Sequence, residues 1–193
     1  MKDNPYYDPA EQNHHEARQS HWDAIAHKRD TWHGMGVWYH RRIEQTYRFL
    51  ISPGQRILEI GSGTGDLLAT VQPAQGVGID FSSEQVSRAR ERYPEIKFVQ
   101  ADAHDLSAIA GAFDVIILSD LINELWDVQQ VLGEIKPLCT PRTRIIINFY
   151  SRLWEIPLYA TQLLNLATPT LAQNWLTHQD VTNMNKQLPK EQT

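Results

Sequence analysis

Apolar residues in this chain gather into five short runs, with polar or helix-periodic stretches between them. Ile57, Leu58 and Ile60 fall in the first run, Val77 and Ile79 in the second, and Ile96 to Ala101 form the third. Phe113 to Ser119 and Arg144 to Phe149 supply the fourth and fifth. Near-continuous apolar runs of this length suit strands covered on both faces. Between them the period lengthens. Val37 to Ile51 carries Ile43, Tyr47, Leu50 and Ile51 on one helical face, and Ser52-Pro53-Gly54-Gln55 ends it. Asp66 to Val71 makes a short helix, and Trp126 to Leu138 makes another. Ser82 or Ser83 caps the helix after the second strand, with Gln85 in the reciprocal position of a capping box. The alternation predicts an α/β fold, a mostly parallel sheet with helices on both faces and right-handed crossovers.

At 193 residues the chain is expected to form one domain. Residues 1–51 read as a helical N-terminal cap, 56–150 as the core and 151–193 as C-terminal helices. In the last part, Leu153 to Ala167 carries an apolar stripe at helical spacing. The formal net charge of −5 gives no general attraction to nucleic acid, so no nucleic-acid partner is expected. A single cysteine, Cys139, precludes an internal disulfide and fits a reducing compartment. No apolar leader and no membrane-length run is legible, and the expected location is cytoplasmic.

His14, His15, His21, His27, His33 and His40 crowd the first forty residues without forming a compact ligand set, and no cysteine joins them. No metal is expected. Trp22, Trp32 and Trp38 read as packing the cap onto the core.

Chemistry concentrates after the first strand, at Glu59-Ile60-Gly61-Ser62-Gly63-Thr64-Gly65-Asp66. A glycine-dense turn between strand and helix lets a ligand approach the backbone and aims free N–H groups at it. A dinucleotide fingerprint needs a third glycine where this chain has Asp66, and a carboxylate beside a pyrophosphate is electrostatically wrong. Glu59 is equally odd beside phosphate but reasonable beside a cationic ligand. The E-x-G-x-G-x-G pattern resembles motif I of the class I S-adenosylmethionine-dependent methyltransferases, whose donor carries an amino group and a sulfonium but no phosphate. The resemblance covers roughly residues 37 to 150 and rests on four strand ends in order.

That resemblance implies a Rossmann-like fold, S-adenosylmethionine as cofactor and a set of contacts. Gly61, Gly63 and Gly65 match the glycines under the donor's methionine portion, and Glu59 the acidic residue that holds the loop and the amino group. Asp80 matches the acceptor for the ribose hydroxyls, with Phe81 against the adenosine. Asp102 matches the acceptor for the adenine amine, with the Ala103 N–H beside the ring. Ser119 matches the position where donor and acceptor pockets meet. The family usually ends in an antiparallel hairpin beside the fifth strand; none is legible here, so a shortened chain is expected.

Asp120 and Asn123, just past the fourth strand, are candidates for facing the methyl acceptor, and His40 could reach the methyl end from the preceding helix. Asp120 is followed by Leu121-Ile122-Asn123 rather than Pro-Pro-Tyr, and no cysteine pair suggests a pyrimidine mechanism. Elimination leaves a small-molecule, lipid- or sugar-type acceptor. A cofactor-binding but inactive methyltransferase-like protein or partner subunit is the alternative. A nicotinamide oxidoreductase is opposed by Asp66 and the glycine spacing. Oligomeric state is not legible.

Overall fold

The computed structural model describes residues 9–28 and 35–149. The segment 151–193, with its expected helices and the question of a terminal hairpin, lies outside them, as does Trp32. Two helices come first, α1 (Pro9–Lys28) and α2 (Met35–Leu50). There follow β1 (Arg56–Ile60), α3 (Asp66–Thr70), β2 (Gln75–Asp80), α4 (Ser83–Arg92), β3 (Lys97–Gln100), β4 (Phe113–Ser119), α5 (Val128–Ile135), a 3₁₀ turn Lys136–Leu138 and β5 (Cys139–Asn148).

The five strands form one sheet in the order β3-β2-β1-β4-β5, and every pairing is parallel. Alternation along each strand divides the apolar side chains between two cores. Ile57 of β1 and Val115 and Ile117 of β4 pack on one face with Tyr47, Leu68, Val86 and Phe98. Leu58 and Ile60, with Ile116 and Leu118, pack on the other with Val131, Leu132 and Ile135 of α5. This is the two-sided burial that the apolar runs predict.

Several boundaries differ from expectation for local reasons. The α5 helix starts at Val128, not Trp126, because the Asp127 carboxylate accepts the N–H groups of Gln129 at 2.8 Å and Gln130 at 3.0 Å and so caps it. The fifth strand begins at Cys139, five residues early, and is irregular opposite Phe113 and Val115. Ser82 does cap α4, accepting from Gln85 N at 3.1 Å, but the box is not reciprocal. Asp80 takes the Ser82 N–H, and the Gln85 amide reaches the Trp22 carbonyl instead. Trp38 does not pack the cap: it is 67% exposed on α2.

Strand order reverses between β1 and β4, so the chain leaves their paired C-terminal ends in opposite directions and opens a crevice there, the usual ligand position in open parallel sheets.

Candidate functional site

The crevice is walled on one side by the glycine turn. Gly61, Gly63 and Gly65 all have positive φ, at 73°, 51° and 81°. The N–H groups of Gly61 and Ser62 both bond the Ile79 carbonyl at 2.8 Å, which folds the turn back over β2. A Cβ on Gly61 would lie 2.9 Å from Leu121 Cδ1, across the crevice, so glycine there holds the two walls close. Gly65 answers a different demand. Its Cβ would lie 2.5 Å from Phe98 Cζ, so its bareness serves core packing as well as the turn.

Asp80, at the end of β2, braces this turn. Its Oδ2 accepts the Gly63 N–H at 2.8 Å and its Oδ1 accepts the Ser82 N–H at 3.0 Å. Burial pushes its carboxyl up to about 6; the two backbone N–H groups pull the other way, and nearby Asp23 adds to the rise. Each carboxylate oxygen has a second lone pair, so the brace leaves acceptor capacity toward the crevice. Glu59, Phe81 and Ser119 line the crevice with Asp80. Ser62 also lines it, 7% exposed, and its Oγ makes no hydrogen bond among the described residues.

The opposite wall is Asp120, held in the left-handed region at φ 54°. Its Oδ1 accepts from Tyr39 OH at 2.8 Å and from Asn148 Nδ2 at 2.6 Å. The Asn148 amide is itself oriented by Tyr47 OH, which donates to its Oδ1 at 2.5 Å. Burial raises the Tyr47 phenol well above its usual range, which keeps it a neutral donor. Both of these side-chain bonds fall on Oδ1, and Asp120 lines the crevice. Burial lifts its carboxyl to about 6, opposed by the bonds from Tyr39 and Asn148. His40 lines the same region, whereas Asn123 is fully buried and does not line the crevice.

Asp102 and Ala103 also stand apart from the crevice lining. Asp102 is gripped by two histidines, His104 Nδ1 on Oδ1 at 2.7 Å and His15 Nδ1 on Oδ2 at 2.8 Å. Desolvation pushes this carboxyl up, but its hydrogen bonds from His104, with His15 alongside, outweigh that and hold it below its ordinary value. These three residues bring ligand-type atoms within 4.8 Å of one another, a grouping that sequence spacing does not reveal. The proton arrangement opposes a metal. His104 Nε2 accepts the Asp127 N–H at 3.1 Å, so Nδ1 carries the proton and donates to Asp102. A cation taking Nδ1 would force an N–H onto Nε2, facing another N–H.

Lining carboxylates are Glu44, Glu59, Asp66, Asp80, Asp120 and Glu124, and no Lys or Arg joins them among the described residues. That set suits a cationic or neutral guest and not a pyrophosphate. Tyr47 and Asn148 are the residues that sequence reasoning missed here. The signal available for Asn148 was a polar residue near the C-terminal end of an apolar strand.

A family model described as a methyltransferase domain matches residues 51–190. A demethylmenaquinone methyltransferase of Thermus thermophilus is 31% identical over 101 residues, covering 48% of this chain and 46% of the relative. A phosphatidylethanolamine N-methyltransferase of Cereibacter sphaeroides is 32% identical over 107 residues, covering 51% and 53%. The chain thus spans about half the length of these curated relatives. The crystal structure of magnesium protoporphyrin IX methyltransferase from Synechocystis PCC 6803, with bound SAH, aligns with a TM-score of 0.67 at 16% identity. That alignment covers 89% of this chain and 86% of the other, and establishes likeness of fold.

Proposed function

The chain belongs to the methyltransferase-domain family, and we propose that it transfers a methyl group from S-adenosylmethionine to a small-molecule, lipid- or sugar-type acceptor. The observation that carries the reading is the pairing of the Asp80-braced glycine turn with Asp120 across the β1/β4 crevice. The residues fit the donor. Buried Ser62 Oγ is an acceptor and donor without a partner, and the acidic lining matches an amino group and a sulfonium. When bound, the donor supplies an activated methyl carbon that needs only an in-line nucleophile.

The chain's own residues then orient and desolvate. Gly61, Gly63 and Gly65 carry the loop under the methionine end, and Glu59 takes the amino group. Asp80 accepts the ribose hydroxyls, Phe81 packs on the adenosine, and Asp102 with Ala103 serves the adenine edge. Ser119 stands at the junction with the acceptor. Asp120 would take the proton of an acceptor hydroxyl or amine as the acceptor's lone pair bonds to the methyl and the methyl–sulfur pair stays with the departing S-adenosylhomocysteine, a role that suits a carboxylate near neutral pH. His40 and Tyr39 shape the same end, Tyr39 by fixing the Asp120 carboxylate. Asn123 is fully buried and away from the crevice lining, so it has no contact with the acceptor in this reading.

Relatives named for a demethylmenaquinone and for phosphatidylethanolamine support an acceptor with a lipid-like body. Calorimetric titration of the protein with S-adenosylmethionine, S-adenosylhomocysteine and NAD, beside Asp80→Ala, tests the reading. Saturable binding of the first two, weakened in the variant, is expected. A folded protein that binds neither refutes it.

A further inference from the structure

The N-terminal helix α1 lies across the rim of the site. His15 bonds Asp102 Oδ2 at 2.8 Å, and Arg18 donates to the Glu124 carbonyl at 2.8 Å and approaches its Oε2 at 3.3 Å. Asp23 accepts from Ser82 Oγ, and the Trp22 carbonyl faces the Gln85 amide. These contacts touch the ends of β2, β3 and β4 in turn. We infer that α1 is a latch on the adenosine half of the crevice: His15 holds the Asp102 carboxylate that an adenine amine needs, and cofactor exchange requires α1 to release it. The inference rests on the cofactor reading proposed above.

Two further observations favour release. The helix carries no continuous apolar face: its buried residues among those described are Arg18, Ile25 and Ala26. A helix attached mainly through polar contacts exchanges them for water at little net cost. His14 Nδ1 is moreover buried without a hydrogen-bond partner among the described residues, a penalty that undocking relieves. With the latch closed, Asp102 Oδ1 accepts twice from His104, at its backbone N–H and at Nδ1, so an adenine amine is left with Oδ2 and must share that oxygen with the His15 ring of α1. His104 belongs to the same loop as Asp102 and stays. Only the His15 contact comes from a separable element.

A protein whose competent state is only partly populated binds with its intrinsic affinity reduced by that fraction. Weakening the latch must therefore tighten binding. The test is stopped-flow and equilibrium binding of S-adenosylhomocysteine to wild type, His15→Ala, Asp23→Asn and Asp80→Ala, with circular dichroism as the check of folding. His15→Ala is expected to raise the association rate and affinity about fivefold, the effect of losing one hydrogen bond of ordinary strength. Asp23→Asn, which weakens the Ser82 contact of the same helix without touching Asp102, is expected to shift both in the same direction at pH 8, where Asp80 is ionised with or without the neighbouring Asp23 charge. Wild-type binding that Asp80→Ala weakens, while His15→Ala and Asp23→Asn leave it unchanged or weaken it, overturns the latch alone. Failure of folded wild type and folded His15→Ala to bind at all overturns the cofactor reading and the latch with it.

Discussion

Asp120→Asn should make the protein more stable and, on the function proposed above, remove methyl transfer. The carboxyl of Asp120 sits at about 6 in the folded protein against 3.8 ordinarily, a rise of roughly two units caused first by burial. At about 1.4 kcal/mol per unit, keeping it ionised at pH 7.5 costs at most about 3 kcal/mol. Because Asp120 also lines an open crevice, a gain on the order of 1–3 kcal/mol is the fair expectation. Asparagine keeps an Oδ1 to accept from Tyr39 and Asn148, and it tolerates the φ of 54° at this position at least as well. The sign follows from linkage. Between the two pKa values the folded protein binds more protons than the unfolded chain, so this group's contribution to stability is fully present below about 4 and lost as pH rises through 6. The variant's advantage should therefore be full at pH 7.5 and shrink to about a third of that at pH 4.5. Thermal denaturation reads it as a rise of roughly 2–4 °C per kcal/mol for a domain of this size. An advantage of the same size at both pH values, or none at pH 7.5, would refute the burial argument.

Other outcomes follow from single contacts. Gly78→Ala would set a Cβ 2.6 Å from the Phe98 ring and 2.8 Å from Ser62 Oγ, and overpacking of this kind should cost about 1–3 kcal/mol in urea denaturation. Ser82→Ala removes the α4 cap and the contact with Asp23; a loss of about 1 kcal/mol is expected from the cap, read by the shift in midpoint. Affinity for S-adenosylhomocysteine should fall as pH drops through about 6, because protonated Asp80 gives up acceptor capacity, and Asp80→Asn should flatten that profile in calorimetry.

Much of the fold was legible because it rests on local periodicity. The apolar run Phe113–Ser119 appears unchanged as β4, and Gly61 with Asp80 falls where strand ends must lie in a parallel sheet. Boundaries that depend on a side-chain cap were less legible: Asp127, not Trp126, decides where α5 starts. The cofactor half of the site is built from residues close to glycine landmarks, so pattern reveals it. The acceptor half is not, since Tyr39 meets Asp120 and Tyr47 meets Asn148 across long stretches of chain. No spacing rule connects such pairs. His15 and His104 illustrate the same limit, for their meeting at Asp102 depends on how α1 lies against the strand ends.

The strand order also sets a schedule for synthesis. Strands β3, β2 and β1 are complete once residue 100 has emerged, but β4 and β5, and with them Asp120 and Asn148, come later. The roughly 20 residues from there to the end of β4 take about 1–4 s to translate. During that interval the nascent sheet presents β1 as a bare edge, the kind of surface that invites pairing with another chain. A donor-binding half can thus exist on the ribosome before any wall for the acceptor does. The open edge closes only when β4 slides in beside β1, and the last strand to arrive brings the asparagine that fixes the Asp120 carboxylate.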